Sequence, residues 1–483
     1  MMKNKSFYTI LSTSTLRSVL KKIDQNALGF CAITNIAEEV IGLITDGDIR
    51  RHIISGGDLN TTVAEIMITD FFYGTPDDSY VALNKMMSDK IKFIPILDES
   101  KKFINVVTQT GTSFLPILEP DLGHEELENV QRCFATNWIS SNGAFVAEFE
   151  ENFSKLHNKR HALAVSNGTV ALHLALVALG IGPGDDVIVP TLTFAASAAA
   201  IVQAGARPVF CECDDALCID PQAIEELITD NTKAVIAVHL YGRVADMALL
   251  GQICEKFGLI LIEDSAEAIG STFNGELTGT FGDASTFSFF GNKTITTGEG
   301  GMILFKDENT FQKAQILRDH GMSKSKRYWH DHIGFNYRLT NMQAAVGVAQ
   351  LKKLDSIITK KRDIMFKYIE YCANNKYIAK YSQERTHEKN SNWLFYVIFN
   401  DEINVINLAK FLHKRQIDTR PIFYPLHWMP PYNAYPRSKC LKRSTYANKH
   451  GICLPSSPSL SNENLERIIS VLDEGISLVR NKY

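Results

Sequence analysis

One lysine, Lys293, stands among hydroxyls, aromatics and glycines in the stretch STFSFFGNKTITTGEGG, residues 285–301. Few other charges accompany it. A lysine in a semi-apolar pocket loses basicity and becomes a usable amine nucleophile; a surface lysine on a glycine-rich loop has the same local sequence. Some thirty positions upstream, Glu263-Asp264-Ser265-Ala266-Glu267 closes the apolar run LILIED. Carboxylates at the end of a buried strand are expensive to desolvate and require cationic or hydrogen-bonding partners, which favours a site over a surface turn. Such acids can also hold a metal, but no matching set of ligands accompanies them and none is assigned. Ser166-Asn167-Gly168-Thr169 follows the apolar run ALAV and opens a helix. A helix N-terminus with small residues and a hydroxyl is an anion site, or a simple N-cap. Phe194, closing PTLTF, can stack on a planar ring or fill the core.

These residues need a scaffold, and its pattern is regular. The runs at 187–190, 208–213, 234–240 and 259–264 are β-rich, and helical stretches such as TVALHLALVAL at 169–179 lie between or beside them. Val170, Leu174, Val177 and Ala178 give that helix one apolar face, and Gly180 can end it. This alternation predicts an α/β sheet with mostly parallel strands, whose ligands gather at the strand ends. The last ~120 residues are less regular; NVINLAKFLHKR and NENLERIISVLDEGISLV predict helices of a smaller α+β lobe.

The first 115 residues repeat at an offset of 63 positions. Leu20 falls on Leu83, Ile23 on Met86, Ile33 on Ile96, Ile41 on Ile104 and Thr45 on Thr108. Each half reads helix, strand, strand, helix, and so small a unit needs its copy to bury apolar surface. The Pro- and Gly-bearing stretch FLPILEPDLGHEEL marks a boundary. The domains expected are therefore 1–115, 116–360 and 361–483.

Composition narrows the function classes. The 483 residues are 45% hydrophobic and 22% charged, with a net charge of −4, proportions of a globular protein with ample core and no basic footprint for nucleic acid. No apolar run reaches the ~18 residues of a membrane span, and the first residues lack a signal peptide's apolar stretch. Nine scattered cysteines without a CxxC pair fit reduced thiols in a cytoplasmic protein.

Two resemblances add to this reading. On Gly42-Leu43-Ile44-Thr45-Asp46-Gly47-Asp48 the N-terminal part resembles a tandem CBS pair. That implies an adenine-nucleotide cleft in which Thr45 and Asp48 contact ribose and phosphate. The second copy keeps Thr108 but has Gly111 in place of Asp48, so at most one complete site remains. A docking or dimerisation module without a ligand is the alternative. From about residue 120 onward, the ordered motifs WISSNG, AVSNGTVALHLAL, PTLTF, VHLYG, EDSAEAIG, SFFGNKTITTGEGGM, GFNYRLTNMQAA, TRPIFYPLH and LPSSPSL resemble the sugar aminotransferases of the DegT/DnrJ/EryC1/StrS family. The resemblance implies fold type I of the pyridoxal-phosphate (PLP)-dependent transferases, like aspartate aminotransferase.

It also implies roles. Lys293 would carry pyridoxal 5'-phosphate covalently and move the proton. Asp264 would pair with the ring nitrogen, Phe194 would stack on the ring, and Gly168, Thr169 and Ser288 would hold the phosphate. Glu267, where many relatives carry Gln, would sit near the ring hydroxyl. Asn336 would reach the cofactor of a neighbouring subunit, making a homodimer the minimal unit. Arg338, Arg420 and His427 would contact the substrate. A lysine at 293, rather than the histidine of dehydratase relatives, favours amino transfer from glutamate to a nucleotide-linked 4-keto-6-deoxy sugar. GDP-4-keto-6-deoxy-mannose is the favoured substrate, a UDP- or GDP-linked N-acetylhexosamine ketone is its rival, and the product would feed surface glycans. A non-catalytic sensor of nucleotide or cofactor is the reading from a different class, opposed by the joint presence of Lys293 and Asp264.

Overall fold

The computed structural model describes residues 8–26, 29–75, 78, 83, 86–87, 91–108, 115–323 and 325–480. The chain divides into two compact units, Met1–Leu115 and Pro116–Tyr483.

The first unit is built twice. Helix Leu16–Asn26 precedes the hairpin Phe30–Thr34/Val40–Thr45, which leads into helix Asp46–Ile54. The second copy supplies the hairpin Phe93–Leu97/Phe103–Thr108. Both hairpins carry a register shift at the equivalent place, between Ile33 and Thr34 and between Ile96 and Leu97. The sequence repeat is thus a repeat of structure down to its irregular residue. Phe30 and Phe93, equivalent in the repeat, stack with ring centroids 4.2 Å apart, in a core with Val40, Leu43, Leu97 and Phe103. A lone two-stranded hairpin is marginal in water; the shared aromatic seam explains the duplication. Gly111 and most of the residues around Leu83, where the repeat places the second copy's first helix, lie outside the described residues.

The second unit centres on a seven-stranded sheet. Its spatial order is His161–Val165, Gly301–Phe305, Ala284–Ser288, Ile260–Asp264, Thr232–Val238, Asp186–Pro190 and Arg207–Cys211. The five strands from Ala284–Ser288 to Arg207–Cys211 are mutually parallel. Gly301–Phe305 runs against both its neighbours. The reason is local: the chain returns from Ser288 to Gly301 through the loop that holds Lys293, without the crossover helix that a parallel return requires.

Helix Gly168–Ala178 departs from its expected single apolar face. Ala171, Leu172, His173, Leu174, Ala175, Leu176 and Ala178 are all buried, because the helix lies on strands Ala284–Ser288 and Gly301–Phe305 and is flanked by helices Ala196–Gln203 and Glu308–Arg318. A helix enclosed on several sides needs no polar stripe.

Toward the C-terminus a four-stranded antiparallel sheet runs in the order Ile378–Tyr381, Phe395–Phe399, Gly451–Leu454, Arg420–Pro421. Helices Leu354–Ala373, Val405–Lys414 and Asn462–Leu478 accompany it. The latter two begin on side-chain caps, Asn404 accepting from the Asn407 amide and Ser461 from that of Asn464. The expected boundary at 360/361 falls inside helix Leu354–Ala373. Among the described residues, no helix is long and apolar enough to cross a membrane.

Candidate functional site

Successive side chains of a strand point to opposite faces, and strand Ile260–Asp264 therefore separates its two terminal acids. Glu263 is enclosed. It accepts hydrogen bonds from the amides of Gly279, Phe281 and Gly282 at 2.8, 2.9 and 2.8 Å and from the Ser285 hydroxyl at 2.8 Å. His239 Nε2 lies 3.1 Å away; the Ala245 amide donates to Nδ1 of the same ring, so Nε2 carries the proton and donates to Glu263. Burial alone would raise the Glu263 carboxyl, but these donors hold it at about 2. Glu263 is a fastener of the 279–285 segment, not a member of the site.

Asp264 faces the other way. The Ser197 hydroxyl donates to Oδ2 at 2.8 Å and the Ala266 amide to Oδ1 at 3.2 Å; Thr193 Oγ1 stands 3.1 Å from Ser197 Oγ. Neither donor is charged. Burial pushes the Asp264 carboxyl above the usual carboxylate range, against the pull of Ser197 and of the Lys293 charge.

Lys293 is held on the loop after Ala284–Ser288. Its Nζ lies 3.4 Å from Glu267 Oε1 and 4.0 Å from the centroid of the Trp393 ring. The Tyr241 amide donates to Glu267 Oε2 at 2.9 Å. Burial raises the Glu267 carboxyl, opposed by the Lys293 charge. Tyr241 adopts φ 57°, uncommon for a bulky residue, and this turn aims its amide at Glu267.

A third corner is the start of helix Gly168–Ala178. Asn167 caps it, accepting from the Val170 amide at 3.0 Å, while the amides before Val170 have no acceptor inside the helix. The N-cap thus leaves free amides beside it. A Cβ on Gly168 would lie 2.9 Å from Ser288 Cβ and 3.2 Å from its Oγ, so only glycine lets the helix start approach Ser288.

Gly168, Thr169, Phe194, Asp264, Glu267, Ser288 and Lys293 all line one cavity of ≈ 780 Å³. Phe194 is 59% exposed and serves as cavity wall, not core. Trp393, Tyr337 and His173 also line it; sequence reasoning missed all three. Tyr337 and His173 are joined at 3.1 Å, and their spacing of more than 160 positions gives no local signal.

Four further expected residues stand elsewhere. Asn336 is exposed and accepts from Arg338 Nε at 3.1 Å, and Arg338 Nη1 lies 2.9 Å from Asp319. Neither lines the cavity of this chain, because alternation along 335–338 turns Tyr337 inward and its neighbours outward. Arg420 lines an adjoining cavity of ≈ 400 Å³ that shares Thr193, Phe194, Asn292, Trp393 and Phe423 with the first. His427 lines neither; it is buried, with Nδ1 2.7 Å from Thr191 Oγ1.

In the first unit Thr45 and Asp48 satisfy each other. Thr45 Oγ1 donates to Asp48 Oδ2 at 2.7 Å and accepts from the Asp48 amide at 3.1 Å, and Arg51 donates to Asp48 at 2.5 Å. This is a capping box of helix Asp46–Ile54, which accounts for their spacing without a ligand. Among the described residues no group of three or more His, Cys, Asp or Glu is disposed to hold a metal ion.

The large cavity has the donor set for a phosphate-bearing pyridine aldehyde. A buried carboxylate without a charged hydrogen-bond donor meets a protonated ring nitrogen, a capped helix start with free amides meets a phosphate, and a largely buried amine meets an aldehyde.

Comparison with known proteins agrees. Residues 120–473 match the DegT/DnrJ/EryC1/StrS aminotransferase family, and residues 2–55 and 63–111 match the CBS domain. Over 362 residues the chain is 44% identical to GDP-perosamine synthase of Vibrio cholerae, across 74% of this chain and 98% of that one. It is 42% identical to GDP-perosamine synthase of Escherichia coli O157:H7, across 75% and 98%. Among solved structures, S. venezuelae DesV superposes with a TM-score of 0.71 at 32% identity, across 76% of this chain and 100% of that one. Helicobacter pylori PseC, an aminotransferase, gives 0.71 at 27% identity, across 75% and 99%.

Proposed function

Because the chain belongs to the DegT/DnrJ/EryC1/StrS aminotransferase family, we propose that it transfers the amino group of glutamate to C4 of a GDP-linked 4-keto-6-deoxy sugar, GDP-4-keto-6-deoxy-mannose foremost. The enzyme is PLP-dependent, of fold type I, and carries an N-terminal CBS module. The single observation that supports the reading best is the convergence of Lys293, Asp264 and the Gly168/Ser288 corner on one cavity, in a chain similar over most of its length to enzymes named GDP-perosamine synthase.

Pyridoxal phosphate, when bound, supplies an electron sink that stabilises charge on a carbon next to nitrogen. The chain's own residues do the rest. Asp264 would keep the ring nitrogen protonated, and a cation at that position would in turn favour the ionised form of its raised carboxyl. Ser288 and the amides at Gly168 and Thr169 bind the phosphate, and Phe194 limits tilt of the ring. Lys293 Nζ would anchor the cofactor and, once released, would serve as the base that takes the proton from the donor's α-carbon in one half-reaction and as the acid that delivers a proton to the sugar's C4 in the other. Glu267 Oε1, 3.4 Å from that nitrogen, steadies it in its protonated phase.

Arg420 stands on the wall of the adjoining cavity and is assigned to the diphosphate. Asn336 and Arg338 lie outside the cavity of their own chain and are assigned to a second copy's site, as a homodimer requires. The enzyme is read as cytoplasmic and as a supplier of surface-glycan precursors. The second unit is read as a PLP-binding large domain, 116–360, and a small C-terminal α+β domain, 361–483, with the limit between them inside helix Leu354–Ala373.

The test is a panel of 4-keto GDP-, UDP- and TDP-sugars with glutamate, read by the mass change of ketone to amine. Conversion of the GDP-linked 4-keto-6-deoxy hexose ahead of all others is expected. Preference for an N-acetylhexosamine ketone would overturn the substrate, and conversion of none would overturn the activity.

A further inference from the structure

Helix Leu354–Ala373 buries a stripe at Leu354, Ile357, Lys361, Ile364, Met365, Tyr368 and Cys372. One member does not belong: Lys361 has 0% exposure where a Met or Leu is the ordinary occupant. Burial pulls its ammonium down to about 7, and among the described residues no carboxylate forms an ion pair with it. A buried cation without a counter-ion is costly, so its hydrogen bonds are what the position retains. Lys361 Nζ donates to the carbonyls of Asn392, Trp393 and Ser456 at 3.3, 3.2 and 2.6 Å.

Those carbonyls lie on two segments, one entering strand Phe395–Phe399 and one leaving Gly451–Leu454, and the strands pair. The first segment is strained. Asn392 has φ 53°, and its side chain donates back to the Lys361 carbonyl at 3.2 Å. Such a conformation persists only where its surroundings over-determine it. Gly242 closes the other side: a Cβ there would lie 2.5 Å from Asn390 Oδ1, 2.8 Å from the Asn392 amide and 2.9 Å from the Trp393 amide. The next link is Trp393. Its indole N–H donates to the carbonyl of Asn292, the neighbour of Lys293, at 2.7 Å, and its ring face meets Lys293 Nζ at 4.0 Å.

We propose that Lys361 is a positioning residue for amino transfer: by clamping the Asn392 and Trp393 carbonyls it fixes the Trp393 indole as the wall that sets where Lys293 Nζ sits. The proposal rests on Lys293 being the cofactor-bearing amine. Removing the clamp substitutes no lining residue but loosens the Trp393 wall, so the reacting nitrogen is misplaced while the remaining substrate contacts are kept.

The test uses the full chain with Lys361→Met, which keeps length and removes the donors, alongside Trp393→Phe, which keeps an aromatic ring and removes the indole N–H. Two quantities are read: the rate at which apo-protein attaches pyridoxal phosphate to Lys293, followed by absorbance, and kcat and KM for the amino transfer. Lys361→Met is expected to slow attachment and lower kcat roughly ten- to hundredfold with KM within about twofold. Trp393→Phe is expected to do likewise, and the double variant to be little worse than the worse single. If Lys361→Met does not fold, Lys361→Gln, which retains a shorter donor, is expected to show the same split. Attachment rate and kcat per folded molecule at wild-type values, or fully additive effects in the double variant, would overturn the proposal. Failure of the wild-type chain to attach the cofactor at Lys293 would instead overturn the reading beneath it.

Discussion

At the scale of single residues, the acids around Lys293 are held against their own preference. Asp264 and Glu267 are buried and both carboxyls are raised. A carboxyl raised on folding stabilises fully below its ordinary value, 3.8 for Asp264, and that contribution is lost as pH rises through the folded value. At neutral pH the buried Asp264 carboxyl therefore costs the apo-protein stability. Asp264→Asn is expected to raise the apo-protein's Tm at pH 7 and to leave little difference near pH 3, while cofactor affinity falls and turnover drops by about 10² or more. Melting curves of apo-protein at the two pH values check the first part. Glu267→Gln is expected to remove an acid limb from the pH profile of kcat/KM, because the group that titrates there is gone; kcat/KM of both proteins from pH 5 to 8 decides it. Type and context offered Lys293 as a nucleophile or a surface lysine and the acids of 263–267 as a group; the family resemblance, not the local sequence, singled out Lys293 and Asp264. Trp393 and Lys361 were not legible. Their meaning comes from contacts across about thirty to a hundred positions, with Asn292, Lys293, Asn392 and Ser456, and neither a single tryptophan nor a single lysine announces them.

At the scale of elements, strand ends and turns aim these groups. The sequence pattern located four of the sheet's strands, from Ile260–Asp264 out to the edge strand Arg207–Cys211, within two or three residues, because continuous β-rich runs are what a sheet buried on both faces requires. It could not divide Glu263 from Asp264 by role, since alternation separates them only once the sheet's faces are known. Glu263 is depressed from 4.5 to about 2; its stabilisation is present above 4.5 and is lost as pH falls toward 2. Glu263→Gln is expected to cost on the order of 3 kcal/mol at neutral pH, with the gap to wild type closing through that window, as urea titrations at pH 7 and pH 3 would measure. The helix start at Gly168 was legible as an anion corner or a cap, and the fold shows the cap. Gly168→Ala drives a Cβ to 2.9 Å from Ser288. A cofactor affinity weakened by about tenfold, with unfolding little changed, is the expected outcome by equilibrium titration, since the shift of a helix start misplaces its amides.

At the scale of the whole molecule, the chain divides into two compact units. The 63-position repeat revealed the first, because identical register shifts and the Phe30–Phe93 stack need matching residues. What it binds was less legible: the Thr45 and Asp48 pattern resembles a nucleotide contact and is accounted for by a capping box. Nucleotide titration of the full chain would distinguish a ligand site from a docking role. Relatives matched over 98% of their own length by about three quarters of this chain imply that residues 116–483 suffice for turnover; the truncated chain is expected to be active. The most direct measurement of the central assignment is chemical. The protein is loaded with pyridoxal phosphate, reduced with borohydride and digested, and the labelled peptide is sequenced. Label on Lys293, abolished in Lys293→Ala together with turnover, is the expected result. Label on any other lysine, or undiminished turnover by Lys293→Ala, would contradict it.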